Sequence, residues 1–246
     1  MTKKVRLDKF LAGLGYGSRK EVGKGLRRGF LIVDGEEIAD NTMHIDPIEF
    51  SKKDITYEGQ PLEPLSPLVI ILNKPKGYVC SHVDDGGDSI FHLLPPLFNM
   101  RTPELQIAGR LDKDTTGLVI LTDDGTLLHK IISPSNKTQK TYEIELVDPL
   151  KGTEKELFES GTLILRNEDK PLAPAQLKTH SDNNKKATLT IHEGRYHQVR
   201  RMFAASGNKV KELHRSQIGD LNITDIPPGE HKIITKDELE CLILKP

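Results

Sequence analysis

The sequence predicts an α+β fold in two parts: a small helix–helix–hairpin module, then a larger domain on a mostly antiparallel mixed sheet. Three observations carry this. Strand-like and helix-like apolar segments are interspersed without the steady alternation that a parallel sheet requires. A hairpin signal, Leu31-Ile32-Val33 then Asp34-Gly35 then Glu36-Glu37-Ile38, follows two short helical patterns. Pro61, Pro64 and Pro67 then crowd one stretch that neither a helix nor a central strand can continue through. This places the module at 1–62, a linker at 63–67 and the larger domain at 68–246.

Within the module, Leu7, Phe10, Leu11 and Leu14 recur at helical spacing until Gly15 and Gly17 interrupt them. Ser18 fits an N-cap for a second helix, with Glu21 at the capping-box position and Gly29 as its stop. In the larger domain, Leu68–Leu72 and Leu118–Leu121 read as buried strands, the second preceded by a glycine-containing turn. Asp124 is placed to cap a helix through Leu127, Leu128 and Ile131 to Ser133-Pro134. Thr141–Val147 and Ala187–His192 alternate like strands. After Glu193-Gly194, a short helix carries Val199, Met202 and Phe203 on one face and stops at Gly207.

Composition narrows the classes. The chain is 36% apolar and 29% charged, enough for an ordinary core and too ordered in pattern for a disordered chain. No apolar run is long enough to span a bilayer, and Met1-Thr2-Lys3-Lys4 lacks a secretory apolar segment. Two cysteines, Cys80 and Cys241, make no disulfide framework, and no Cys/His spacing suggests zinc. The expectation is a cytoplasmic protein without metal. Net charge is −1, yet residues 1–30 carry nine bases against Asp8 and Glu21. An acidic stretch follows from Asp34 to Glu63, and a second basic block runs from Lys185 to Arg215. Such segregation fits a localised footprint for a polyanion, or else ordinary solvated helix faces.

No phosphate loop, dinucleotide fingerprint, Ser/His/Asp arrangement or metal-ligand cluster is present in the sequence, so any reaction must use ordinary side chains and no cofactor. Asp112, after Arg110-Leu111, is either a turn aspartate bonding local amides or a catalytic carboxylate. Arg195, Arg200 and Arg201 fall on the first turns of a short helix, where Arg195 and Arg201 read as phosphate contacts or a solvated basic face, and Tyr196 shares a face with Arg200. Tyr142, in Lys140-Thr141-Tyr142, is either a core aromatic with a wet hydroxyl or a stacking platform for an exposed base.

Gly109–Leu121, followed by Thr122-Asp123-Asp124-Gly125, resembles the signature of ribosomal-RNA pseudouridine synthases of the RsuA type. Residues 5–60, with Arg6-Leu7-Asp8-Lys9-Phe10-Leu11, Ser18-Arg19 and Val33-Asp34-Gly35, are similar to the S4 RNA-binding module that these enzymes carry. Leu72–Val79 resembles the start of their catalytic domain, so the likeness covers nearly the whole chain in order. It implies the pseudouridine synthase fold, no cofactor, and Asp112 as the catalytic aspartate. It also implies Tyr142 against the target base, Arg200 paired with that aspartate, and Leu213 lining the pocket with Arg110 and Leu111. The RNA contacts would come from Arg6, Lys9, Arg19, Lys20, Arg27, Arg28, Lys140, Arg195, His197 and Arg201. Tyr196-His197, Met202–Ala205 and Glu212–Arg215 are similar to the small-subunit members, where large-subunit members carry Asn-Arg in place of Tyr196-His197. The implied partner is 16S rRNA within a small-subunit assembly intermediate, met by a monomer, with uridine 516 the target by resemblance. Competing readings are a 23S rRNA enzyme of the same chemistry and a non-catalytic S4-type rRNA-binding or assembly factor. A DNA-binding reading of the basic helices is weaker, since nothing pairs them for two half-sites.

Overall fold

The computed structural model describes every residue except 1–3, 63, 65, 66, 134, 135, 137, 181, 182 and 244–246. Its first part runs β1 (Val5–Arg6), α1 (Leu7–Gly13), α2 (Arg19–Leu26), β2 (Leu31–Val33), β3 (Glu36–Glu37), β4 (His44–Ile45), α3 (Pro47–Phe50), β5 (Ile55–Tyr57) and β6 (Gln60–Pro61). The expected capping box starts α2: Glu21 N–H donates to Ser18 Oγ, and the Ser18 N–H donates to Glu21 Oε2 at 2.8 Å. Asp34 and Gly35 both take positive φ (52° and 85°), the geometry a two-residue hairpin turn demands. A second hairpin turn, Glu58-Gly59, repeats that pattern (φ 52° and 75°) and extends the sheet to β3-β2-β5-β6. It escapes the sequence reading because Glu is a weaker turn former than Asp or Asn. Leu7, Leu11, Val22, Leu26, Leu31 and Tyr57 close a core of their own.

The second part continues with β7 (Val69–Lys74), two 3-10 turns (Ile90–Leu93 and Pro96–Met100), β8 (Gln106–Ala108), β9 (Thr115–Thr122), α4 (Gly125–Ile132) and β10 (Lys140–Leu146). It ends with α5 (Glu154–Glu159), β11 (Gln176–His180), β12 (Asn183–Ile191), α6 (Gln198–Ala205), β13 (Val210–Ile218), β14 (Leu221–Asn222), β15 (His231–Ile234) and α7 (Lys236–Ile243). Among the described residues nine strands form one sheet, ordered β11-β12-β10-β13-β9-β7-β15, with β14 beside β13 and β8 beside β9. Among the described residues the named strands of this sheet pair antiparallel except β9 with β13, in line with the mostly antiparallel expectation.

Val69–Leu72 of β7 and Leu118–Leu121 of β9 read as unbroken apolar runs because both faces of the sheet are covered there. Ile70, Leu72, Val119 and Leu121 face one core, and Val69, Ile71, Leu118 and Ile120 face the other. Burying each such side chain contributes roughly 1.5–3 kcal/mol, so this pair of strands anchors the domain. Asp124 caps α4 through the Thr126 and Leu127 amides, as expected; Pro134, the expected stop, lies outside the described residues.

Two sequence expectations shift. The glycine of the turn before Leu118 is inside β9: Gly117 sits opposite Arg215, with φ 108°. A Cβ there would lie 2.3 Å from the Arg215 carbonyl oxygen, so glycine is what lets the two strands approach. Helix α6 begins at Gln198, which leaves Arg195 and Tyr196 in the preceding loop and off the face of Arg200. The two parts are tied together around Pro64 and Leu68. Arg101 and Asp123, both fully buried, pair at 3.0 Å; Arg101 also donates to the Pro64 carbonyl, and Asp123 accepts from the Leu68 amide. Nearby, the Thr102 amide donates to Gly13 O.

Candidate active site

Asp112 lies on the loop Gly109–Asp114, between β8 and β9. The loop is short and polar, yet its backbone is gripped from several sides. Arg215, 2% exposed, donates through Nη2 to Gly109 O and through Nε to Leu118 O, both at 2.8 Å. Lys74, fully buried at the end of β7, donates through Nζ to Lys113 O at 3.1 Å and to Pro75 O at 3.0 Å. The Gly77 amide also reaches Lys113 O, and the Leu111 amide donates to the buried Cys80 Sγ at 3.3 Å. Burial pushes the Lys74 ammonium below its ordinary pKa, and the nearby Cys80, Asp114 and Asp112 partly restore it. Burial likewise raises the Cys80 thiol. These cations spend their donors on carbonyls, so the Asp112 carboxylate is presented without being consumed by its own loop.

Around Asp112 opens a cavity of about 450 Å³, of the size that accepts a small-molecule-sized group. Its lining includes Arg110, Leu111, Lys140, Tyr142, Arg195, His197, Arg200, Leu213 and Arg215. Strand register explains the assembly. Tyr142 on β10 stands opposite Arg215 on β13, Leu213 stands opposite Ile144, and Leu213 pairs again with Thr115 just beyond the Asp112 loop. Tyr142 and Leu213 are 7% and 5% exposed, so they give the cavity an apolar floor. Lys140, two residues before Tyr142, donates to Thr138 O at 3.0 Å. Burial, with the neighbouring Arg215 cation, pushes its pKa down to about 8.

The structure redistributes the basic residues. Asp112 is met by His197, whose Nε2 is 3.2 Å from Oδ1, both side chains being 38% exposed. Arg200 lines the same cavity but aims its guanidinium at the Asp114 and Val210 carbonyls, each at 3.4 Å, the long edge of hydrogen bonding. The pairing implied for Arg200 is thus held by His197 here. Arg195 and Arg201 are half-buried and engaged by neighbouring acceptors. Both bond Glu168, at 2.8 and 2.7 Å. Arg195 also reaches Glu193 and the Lys170 and Pro171 carbonyls, and Arg201 the Tyr196 and Arg166 carbonyls. In this arrangement they tie the 166–171 segment to the start of α6. In the first part, Arg6 and Arg19 share the buried Asp8, holding its carboxyl below the usual range against the opposing effect of burial. Lys9, Lys20, Arg27 and Arg28 are exposed and form no salt bridge among the described residues.

The sequence reading did not assign Arg215 or Lys74. A lysine closing the all-buried run Val69–Asn73 was the available signal for Lys74. Arg215 had none, since its contacts reach back across 97 and 106 residues. Among the described residues one group of potential metal ligands converges, Asp84, Asp88 and His92, all exposed and outside the cavity lining. No helix of the described residues is long and apolar enough to cross a membrane.

A carboxylate stands at the wall of this cavity, beside Tyr142 and Leu213 and among cations, an arrangement whose size and charge fit a nucleoside of an anionic polymer. Residues 68–205 match the family model described as RNA pseudouridylate synthase, and the chain belongs to that family. It is 40% identical over 239 residues to the ribosomal small subunit pseudouridine synthase A of Vibrio vulnificus, covering 97% of this chain and 99% of that one. The Escherichia coli (strain K12) protein of the same name is 40% identical over 241 residues, covering 97% and 100%. A crystal structure of a pseudouridylate synthase superposes with a TM-score of 0.65 at 38% identity, covering 97% and 99%. The protein is an RNA pseudouridylate synthase, an isomerase.

Proposed function

We propose that this enzyme converts one uridine of 16S rRNA to pseudouridine, with Asp112 as the catalytic carboxylate. The observation that carries the reading is the convergence of Asp112, Tyr142, Arg200 and Leu213 on one cavity. The small-subunit substrate follows from the relatives' names at 40% identity across almost the whole chain. The specific uridine, position 516 by resemblance, belongs to the same proposal.

The reaction breaks the N1–C1′ bond, turns the uracil and rejoins it through C5, with no atom gained or lost. The target nucleotide leaves its stack to enter the cavity, at a cost of a few kcal/mol offset by contacts along the flanking strand. Tyr142 packs on the uracil and retains it after cleavage. Leu213 and Leu111 exclude water that would capture an intermediate. Asp112 acts at the ribose or base, oriented by His197, while Arg200 fixes the carbonyl of Asp114 behind it. Residues 1–62 act as the S4-like RNA-binding domain, joined by the linker 63–67 to the catalytic domain 68–246. Lys9, Lys20, Arg27 and Arg28 supply its phosphate contacts, and Arg6 and Arg19 share theirs with Asp8. The enzyme works as a monomer in the cytoplasm on a small-subunit assembly intermediate.

The test uses small-subunit rRNA carrying tritium at uridine C5, because forming the C5–C1′ bond releases that hydrogen to water. Wild type is expected to release tritium at a single mapped site. Asp112→Asn is expected to retain RNA binding within about two-fold, since one acceptor replaces another, and to lose turnover by more than about 10⁴-fold. Appreciable turnover by that variant would remove Asp112 from the catalytic role.

A further inference from the structure

Tyr196 is the most exposed of the large apolar or aromatic side chains among the described residues, at 74%. Its ring is nevertheless ordered by a neighbour. It stacks on His197 with centroids 3.8 Å apart and planes inclined by 19°. His197 holds a left-handed backbone, φ 48° and ψ 31°, at the residue just before α6, and its side chain does not cap that helix. A non-glycine residue in that conformation costs of order 1 kcal/mol or more. What the conformation achieves here is to direct the imidazole to Asp112, with Nε2 at 3.2 Å from Oδ1. His197 lines the cavity, whereas Tyr196 lies outside its lining. Tyr196 therefore stands on the solvent side of His197, whose imidazole reaches Asp112.

One face of the Tyr196 ring is covered by His197, and most of the rest of the side chain is exposed to solvent. An aromatic ring kept in water at the mouth of a nucleoside-sized cavity, with Arg110 exposed among the lining residues, is the arrangement on which single-stranded bases stack. We propose that the exposed side of the Tyr196 ring receives the base of a nucleotide adjoining the target uridine, so that base, Tyr196 and His197 form one stack. In that stack His197 is a positioning residue for the Asp112 carboxylate. Seating the neighbouring base and aligning the carboxylate are then one event on one element. This rests on the reading of the cavity as the uridine site.

The experiment compares Tyr196→Ala, Tyr196→Phe, Tyr196→Trp and His197→Ala with wild type on tritium-labelled small-subunit rRNA. Because Tyr196 is a surface side chain, its variants keep the fold, which circular dichroism checks. Tyr196→Ala is expected to raise KM roughly ten-fold, the factor one base–aromatic stack supplies, with a much smaller change in kcat. The Phe and Trp variants, which keep a ring, are expected to stay within about three-fold of wild type, since stacking does not use the hydroxyl. His197→Ala is expected to lower kcat more than it raises KM. A second readout places 2-aminopurine beside the mapped uridine, on each side in turn. Its fluorescence should quench on binding wild type and Tyr196→Phe, and not on binding Tyr196→Ala. An unchanged KM with quenching intact in Tyr196→Ala overturns the proposal, as does a Phe variant as impaired as the Ala variant. Wild-type tritium release in the same assay scores the uridine-site reading separately: its absence overturns that reading, whereas its presence beside an unimpaired Tyr196→Ala overturns only this one.

Discussion

Lys140 is held in the cavity wall at a cost to the folded state. Its ammonium is half-buried, its acceptor among the described residues is the Thr138 carbonyl, and Arg215 adds a second positive charge nearby. With the folded pKa at about 8 against an ordinary 10.5, the folded protein binds fewer protons than the unfolded chain between those values. Stability from this residue therefore rises with pH across that window, and the full penalty stands below it. Lys140→Met is expected to raise stability at pH 7 by about 1 kcal/mol, an allowance for partial solvent access, and so Tm by roughly 2–4 °C. The gain should fade from pH 8 towards pH 10.5 in calorimetric scans, while affinity for rRNA falls at every pH below 8. A lower Tm, or a gain that ignores pH, contradicts the argument. At this scale the sequence was informative about identity and silent about aim. Asp112, Tyr142 and Leu213 each stand in a local motif and all reach the cavity. That His197 rather than Arg200 meets Asp112 depends on a left-handed residue and on where α6 starts, neither of which a helical pattern encodes.

Among the elements, the parallel contact of β9 with β13 decides whether the site forms, because it brings Arg215 to the Asp112 loop. Gly117 is the residue that permits it. Gly117→Ala would set a methyl 2.3 Å from Arg215 O and force an L side chain to φ 108°. A clash with backbone cannot be relieved by a rotamer change, so the expected loss is about 3 kcal/mol or more, read as a lower denaturant midpoint. Gly125, the first residue of α4, supplies the contrast. Its Cβ would meet nothing within 4 Å and its φ is helical, so Gly125→Ala should raise stability by about 0.5–1 kcal/mol. Equal effects at the two positions would refute the close-approach argument. Most elements were legible because their periodicity is local: the capping box at Ser18, the Asp34-Gly35 turn and the Asp124 cap all appear as read. β13 was not, since Val210–Ile218 mixes Lys, Glu, His, Arg and Gln with three apolar residues, and only its neighbours on the sheet make it a strand. The turn assigned to Gly117 failed for the same reason.

Over the whole molecule, a net charge of −1 conceals two basic blocks that the fold treats in opposite ways. In the block Lys185–Arg215, Arg195 and Arg201 are drawn onto Glu168, whose carboxyl they hold below its ordinary range through direct hydrogen bonds. Arg215 disappears into the sheet. In the first thirty residues, Asp8 occupies Arg6 and Arg19, and the remaining cations of α1 and α2 stay in solvent. The sequence marked both blocks correctly and could not separate them, because the carboxylates that neutralise one of them come from other elements. The division has a measurable consequence. Each cation that meets a phosphate releases counterions, so the slope of log K against log salt reports how many such contacts exist. Replacing Lys9, Lys20, Arg27 and Arg28 together by Gln should flatten that slope by about 3 in magnitude for rRNA binding, at roughly 0.7–0.9 per contact. Tm should move by no more than about 2 °C, because these exposed side chains form no salt bridge among the described residues. Replacing Arg195 and Arg201 by Gln should do the reverse, lowering Tm through the uncompensated Glu168 and leaving the slope nearly unchanged. A slope that follows the second pair rather than the first four would move the RNA footprint from the amino-terminal helices to the mouth of the cavity.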